Sequence, residues 1–116
     1  MAIRYVNLSP REAYDKIYNG LTERFFSSEE ISSHTVRNSD KSETIIGIFE
    51  KYSWRNSNRM TMTVLCSPAG KDRSEVFFVA AGAGGGILGI DWGAAEDFES
   101  ALSSSLEGHF CAEPDL

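Results

Sequence analysis

Thr44 to Cys66 reads TIIGIFEKYSW, RNSNR, MTMTVLC. Before the Asn/Ser-rich break, Thr44, Ile46, Ile48, Glu50 and Tyr52 alternate with Ile45, Gly47, Phe49 and Lys51. After it, Met60, Met62, Val64 and Cys66 alternate with Thr61, Thr63 and Leu65. Alternation of period two on both sides of a short polar break predicts an antiparallel hairpin. If Ile46 and Ile48 share a face with Met62 and Val64, paired residue numbers sum to an even value, and Asn58 stands opposite Tyr52 or Trp54. The other parity sets Ile48 against Thr63 and turns one apolar row away from the other. The even register is therefore the expectation.

Upstream of the hairpin, Ala2 to Leu8 (AIRYVNL) suits a first strand, and Ser9-Pro10-Arg11-Glu12 starts a helix. Ser9 can accept from the orphan amides of the first turn, Pro10 fits the first helical position, and Glu12 completes a capping box. The helix presents Ala13, Ile17 and Leu21 at successive i+4 steps with Tyr14 and Tyr18 alongside. It either ends at a C-cap at Asn19-Gly20 or bends and continues to Phe25. Ser27 to Asp40 is polar, with Ile31, Thr35 and Val36 as its β-formers, and predicts a weak edge strand.

Downstream, Ser67 to Asp72 is a turn containing Pro68 and Gly70. Glu75 to Ala81 (EVFFVAA) is apolar on both alternating sets, the pattern of an interior strand covered on both faces. Gly82 to Gly86 breaks it, and Ile87 to Ile90 suffices for a short last strand. Asp91 or Gly93 can cap a final helix whose Ala94, Phe98, Ala101, Leu102 and Leu106 form one face. Gly108 ends that helix, and about 111–116 reads as a frayed tail.

At 116 residues the chain fits one domain. Its hydrophobic content of 41% and charged content of 24% are those of an ordinary soluble protein. No stretch has the length and apolarity of a signal peptide or a membrane span, and a net charge of -6 opposes nucleic-acid backbones. No nucleic-acid or membrane partner is expected. Two cysteines far apart in sequence read as reduced thiols in the cytoplasm.

Gly84 to Gly89 formally matches G-x-G-x-x-G, but the residues that follow read as a strand and not as a helix whose amides hold pyrophosphate. A glycine-rich turn fits better, although its excess of glycine hints at a close backbone approach to a ligand or partner. His34 and His109 have no second ligand pair at zinc-site spacing. The serine runs lack the strand-to-helix setting of a nucleophile elbow. No catalytic residue, metal or cofactor is assigned. Lys51, Arg55 and Arg59 gather at the hairpin tip beside Tyr52 and Trp54. There they either hold an anion or stack on a base, or form a solvated turn with one aromatic packed back on the sheet.

Phe49-Glu50-Lys51-Tyr52-Ser53-Trp54 followed by Asn58-Arg59, with the glycine-rich turn and Phe98, resembles a family of small bacterial proteins catalogued as a domain of unknown function. Its members carry a similar F-E-[KR]-Y-S-aromatic run before an N-R strand start. The resemblance implies a cytoplasmic bacterial protein and transfers no catalytic residue. The element order is also similar to TATA-binding-protein-like and helix-grip folds.

The fold expected is a single α+β domain over residues 1–116. Strand, helix, four or five strands and helix form a curved antiparallel sheet with both helices on one face. Ile46, Ile48, Met62, Val64 and one row of EVFFVAA should face Ile17, Leu21, Phe98 and Leu102. The opposite face carries Phe49, Leu65, Thr61, Thr63 and the other row. It is too apolar to be wholly wet and implies self-association, a bound partner or a covering by Ser27 to Asp40. The leading reading is a non-enzymatic interaction or ligand-binding module, a homodimer joined through Phe49, Thr61, Thr63 and Leu65. The alternative is a helix-grip pocket for a small apolar ligand, lined by Met60, Met62, Phe78 and Trp92. An enzyme ranks third.

Overall fold

Ser9 starts the first helix as its sequence predicts. Its hydroxyl accepts from the Glu12 amide and the Glu12 carboxylate accepts from the Ser9 amide, both at 3.2 Å. The computed structural model describes residues 2–53, 58–82 and 92–114. Within them the order is β1 (Ala2–Val6), α1 (Pro10–Asn19), β2 (Glu29–Arg37), β3 (Glu43–Ser53), β4 (Asn58–Pro68), β5 (Ser74–Gly82) and α2 (Trp92–Ser105). The strands form one antiparallel sheet in the order β1-β5-β4-β3-β2. This is the α+β arrangement expected, with β5 in the interior and the polar β2 at an edge. The strand expected at Ile87 to Ile90 and the glycine motif at Gly84 to Gly89 lie outside the described residues. So does Asp91, while Gly93 falls inside α2 and not at its cap.

The end of α1 combines the two alternatives. Gly20 keeps a right-handed φ of -67°, and the chain continues as a π-helical turn over Gly20–Arg24 before leaving at Phe25. A side chain at position 20 would overlap Ser105, so glycine lets α2 approach this turn. The amide and hydroxyl of buried Ser28 both donate to the Leu21 carbonyl, at 2.8 and 2.7 Å, and close the segment off. Phe26 then reaches the core, its ring centroid 6.1 Å from that of Phe98.

One sheet face carries the core. Ala13, Tyr14, Ile17 and Leu21 from the first helical segment and Phe98, Ala101, Leu102 and Leu106 from α2 and its end are buried. They share one cluster with Ile45, Phe49, Met60, Met62, Val64, Cys66, Val76 and Phe78. Phe78 meets Phe98 edge-on at 5.7 Å, and Phe49 lies between Tyr14 and Tyr18 at 6.2 and 6.4 Å.

The hairpin register corrects the expectation. Ile45 stands opposite Cys66, Gly47 opposite Val64, Phe49 opposite Met62 and Ile48 opposite Thr63, an odd parity. Tyr52 pairs with Arg59 and Asn58 with Ser53. Met62 and Val64 face the helices as expected, but Ile46 and Ile48 face away, and Ile45, Gly47 and Phe49 take the inner side. The reason lies at Gly47. Its missing side chain leaves room for the Tyr14 phenol, which a Cβ there would overlap. Only the row containing this glycine lets α1 come down onto β3.

Candidate interaction surface

Turning Ile46 and Ile48 outward assembles an apolar surface on the face opposite the helices. Residues standing opposite each other on neighbouring antiparallel strands share a face. One cross-strand row therefore runs His34, Ile46, Leu65, Phe77, Ile3 over all five strands. The adjacent row is Ser32, Ile48, Thr63, Val79, and the next Glu29, Glu50, Thr61, Ala81. Ile3 is 47% and Ile48 38% exposed, while Ile46, Leu65, Phe77, Val79, Thr61 and Thr63 are half-buried by one another. Among the described residues no helix packs on this face, so the apolar second row of EVFFVAA (Phe77, Val79, Ala81) stays partly open.

The rim is polar. Arg59 Nη1 donates to Glu50 Oε1 at 2.7 Å. At another corner the Tyr5 hydroxyl donates to Glu113 Oε1 at 3.4 Å. Desolvation, then the carboxylates of Glu113 and Glu75, raise the Tyr5 phenol above its ordinary range.

Of the residues assigned to self-association, Thr61, Thr63 and Leu65 lie on this surface and Phe49 does not. Phe49 is fully buried on the helix side, because odd parity puts it beside Gly47. Ile3, Ile46 and Ile48 take its place. The signal for them was Gly47, since a glycine inside an alternating strand marks close approach of another element and identifies the covered row.

The tip cluster is divided. Lys51 lies on the helix side, where its ammonium donates to the Phe26 carbonyl at 2.5 Å and sits 4.0 Å from the Phe26 ring centroid. Arg59 is on the other face, held by Glu50. The two cations therefore do not converge on one anion. Trp54 and Arg55 lie outside the described residues. Of the residues assigned to an apolar ligand, Met60, Met62 and Phe78 are buried core residues. Trp92 opens α2, and its side chain is outside the described set.

Elsewhere, a cleft of about 560 Å³ opens between the start of α1 and the two turns at 40–43 and 68–73. Its Arg11, Lys41, Lys71 and Arg73 are interleaved with Asp40, Glu43 and Asp72, and Arg11 already pairs with Glu43 at 3.6 Å. Among the described residues no group of three His, Cys, Asp or Glu side chains could hold a metal ion, and no helix is long and apolar enough to cross a membrane.

No curated protein and no solved structure matches the chain. A family model does, as the F-E-K-Y-S hairpin leads one to expect. It spans residues 1–109, from β1 through α2, and the chain belongs to this family of unknown function, DUF6054.

Proposed function

We propose that this protein is a non-enzymatic interaction module that self-associates, two copies stacking their open sheet faces across a two-fold axis. The observation that carries this reading is the cross-strand row of Ile46, Leu65, Phe77 and Ile3, flanked by Ile48 and Val79, on the face without helices. Strands about 4.8 Å apart and about nine residues long at about 3.3 Å per residue give five strands a face of roughly 700 Å². A stable interface of standard size buries about 600–1,000 Å² per partner, and this face falls within that range. Its apolar centre and charged rim have the anatomy of such an interface. An open sheet face suits isologous pairing, because each copy offers the same patch to the other. A cytoplasmic setting in a bacterial cell accompanies the reading, supported by the resemblance and by two free thiols, Cys66 and Cys111.

Thr63 tests it, standing near the middle of the face between Ile48 and Val79. In sedimentation equilibrium at micromolar concentration, wild type should exceed the monomer mass and Thr63→Arg should fall to half the wild-type value while staying folded. A monomeric wild type, or an unchanged mass in the variant, refutes the stacking.

A further inference from the structure

The two edges of the sheet are finished differently. β1 has five residues, and the chain's own tail pairs with its end: Cys111 N–H donates to the Tyr5 carbonyl at 2.9 Å, and Asn7 N–H to the His109 carbonyl at 2.8 Å. β2 has nine residues, all exposed except half-buried Glu30, and among the described residues no strand pairs with its outer side. Such an edge offers a row of unpaired amides and carbonyls. Its one irregularity is the bulge between Glu30 and Ser32, beyond which Ser32 to Arg37 runs in unbroken register with β3.

We propose that β2 pairs antiparallel with β2 of a second copy, joining two five-stranded sheets into one of ten. The charges along the strand select this occupant. Glu29 and Glu30 lie at one end and Arg37 at the other. Antiparallel self-pairing brings each acidic end to the basic end of the copy, whereas a parallel pairing puts like on like. With the two-fold axis at His34, Ser33 meets Thr35 of the copy and Ser32 meets Val36. Past the bulged Ile31, Glu30 then stands opposite Arg37. Glu30 and Arg37 both project on the helix side, since Glu30 is in register with Phe49 and Arg37 lies two residues beyond Thr35, which is in register with Ile45. Symmetry makes the ion pair twice. The axis keeps both helix layers on one side of the joined sheet and leaves the open face free. The edge contact is therefore independent of face stacking, and with the face axis running across the strands to meet the edge axis the two together close a tetramer.

Sedimentation equilibrium at micromolar concentration separates them. Arg37→Glu places a carboxylate opposite Glu30 of the copy at both pairs, which should weaken the edge about tenfold. Mixing Arg37→Glu with Glu30→Lys should restore it. Glu30 also accepts from the Tyr14 hydroxyl and Arg37 also pairs with Glu43 at 3.8 Å, so a second test leaves both positions alone. Neighbouring residues on an edge strand aim their amides alternately inward and outward, so one of Ser32→Pro and Ser33→Pro removes only an outward amide. That variant should keep the unfolding midpoint of the dilute monomer and lose the edge contact. Wild type should sediment as four copies, an edge variant or Thr63→Arg as two, and the combination as one. Edge variants that leave the masses of both wild type and Thr63→Arg unchanged overturn the edge proposal alone. A Thr63→Arg of wild-type mass beside edge variants that halve it overturns the face reading alone. A monomeric wild type overturns both.

Discussion

The phenol of Tyr14 occupies the space above Gly47 that a side chain would need, and its hydroxyl donates to Glu30 Oε2 at 2.6 Å. α1 is thereby tied to two strands at once, β3 by shape and β2 by a hydrogen bond. Burial, then the hydrogen bond and charge of Glu30, raise the Tyr14 phenol well above its ordinary range and keep it a donor. Gly47→Ala should cost about 1–3 kcal/mol, the usual penalty for overpacking, in urea unfolding. Tyr14→Phe keeps the ring and loses the donor, for about 1 kcal/mol. A Gly47→Ala variant with an unshifted midpoint would mean that α1 does not seat on β3 through this pair.

Ile48 and Lys51 exchange the roles that the even parity assigned them. Ile48→Asp puts a charge on an open face and should change the stability of the dilute monomer by less than about 1 kcal/mol, while abolishing face association. Lys51→Asp removes the donor to the Phe26 carbonyl and the cation over its ring, and brings a carboxylate towards that carbonyl. Its cost should reach about 2–3 kcal/mol. Thermal unfolding in which Ile48→Asp is the more damaging of the two would contradict the register.

Ser9→Ala should cost about 1 kcal/mol through the lost cap. Glu12 adds a pH dependence of known sign. The Ser9 amide, then its hydroxyl, hold the Glu12 carboxyl below its usual range in the folded protein. A depressed folded pKa stabilises the fold fully above the unfolded value, near 4.5. That stabilisation is lost as pH falls through the folded value. Glu12→Gln should therefore destabilise at pH 7 and converge on wild type as the pH falls through the lowered folded value. A difference that stays constant with pH would remove the carboxylate from the cap.

Local chemistry was legible wherever one residue type does one job. Ser9-Pro10-Glu12 specified a helix start, the polar run at Ser27 to Asp40 an edge strand, and Phe98, Leu102 and Leu106 a helix face. The hairpin's existence was equally plain, because alternation survives on both sides of the break. Its facing was not, since Ile46 and Ile48 are as apolar as Ile45 and Phe49. Hydrophobicity cannot choose between two such rows. The choice is made by a contact with α1, more than thirty residues earlier, whose trace in the sequence is a single glycine. The interaction surface was misread in proportion: Leu65, Thr61 and Thr63 come from a strand whose facing was read correctly, Phe49 from the one that was inverted. At the hairpin tip Lys51 and Arg59 point to opposite faces for the same reason, because residues eight apart across a hairpin need not share a face.

Cys66 and Cys111 should differ sharply towards a thiol reagent. Cys66 lies between Ile45 and Val76 on the helix side of the sheet and has no exposed surface. Burial pushes its thiol up to about 12, with Arg11 pulling weakly the other way. At pH 8 such a group is about one part in ten thousand thiolate, and no reagent reaches it while the helices cover the sheet. Cys111 is a free thiol, half-buried in the tail beside β1, where its backbone N–H donates to the Tyr5 carbonyl. In native protein one thiol should therefore react within the mixing time of a manual assay, and peptide mapping should assign it to Cys111. The second should react at a rate set by opening of the fold, rising with urea in parallel with the unfolded fraction. Gly47→Ala, which loosens the helix side, should speed the second phase and leave the first alone. Two thiols of equal rate in the absence of urea would place Cys66 outside the core and undo the assignment of the covered face.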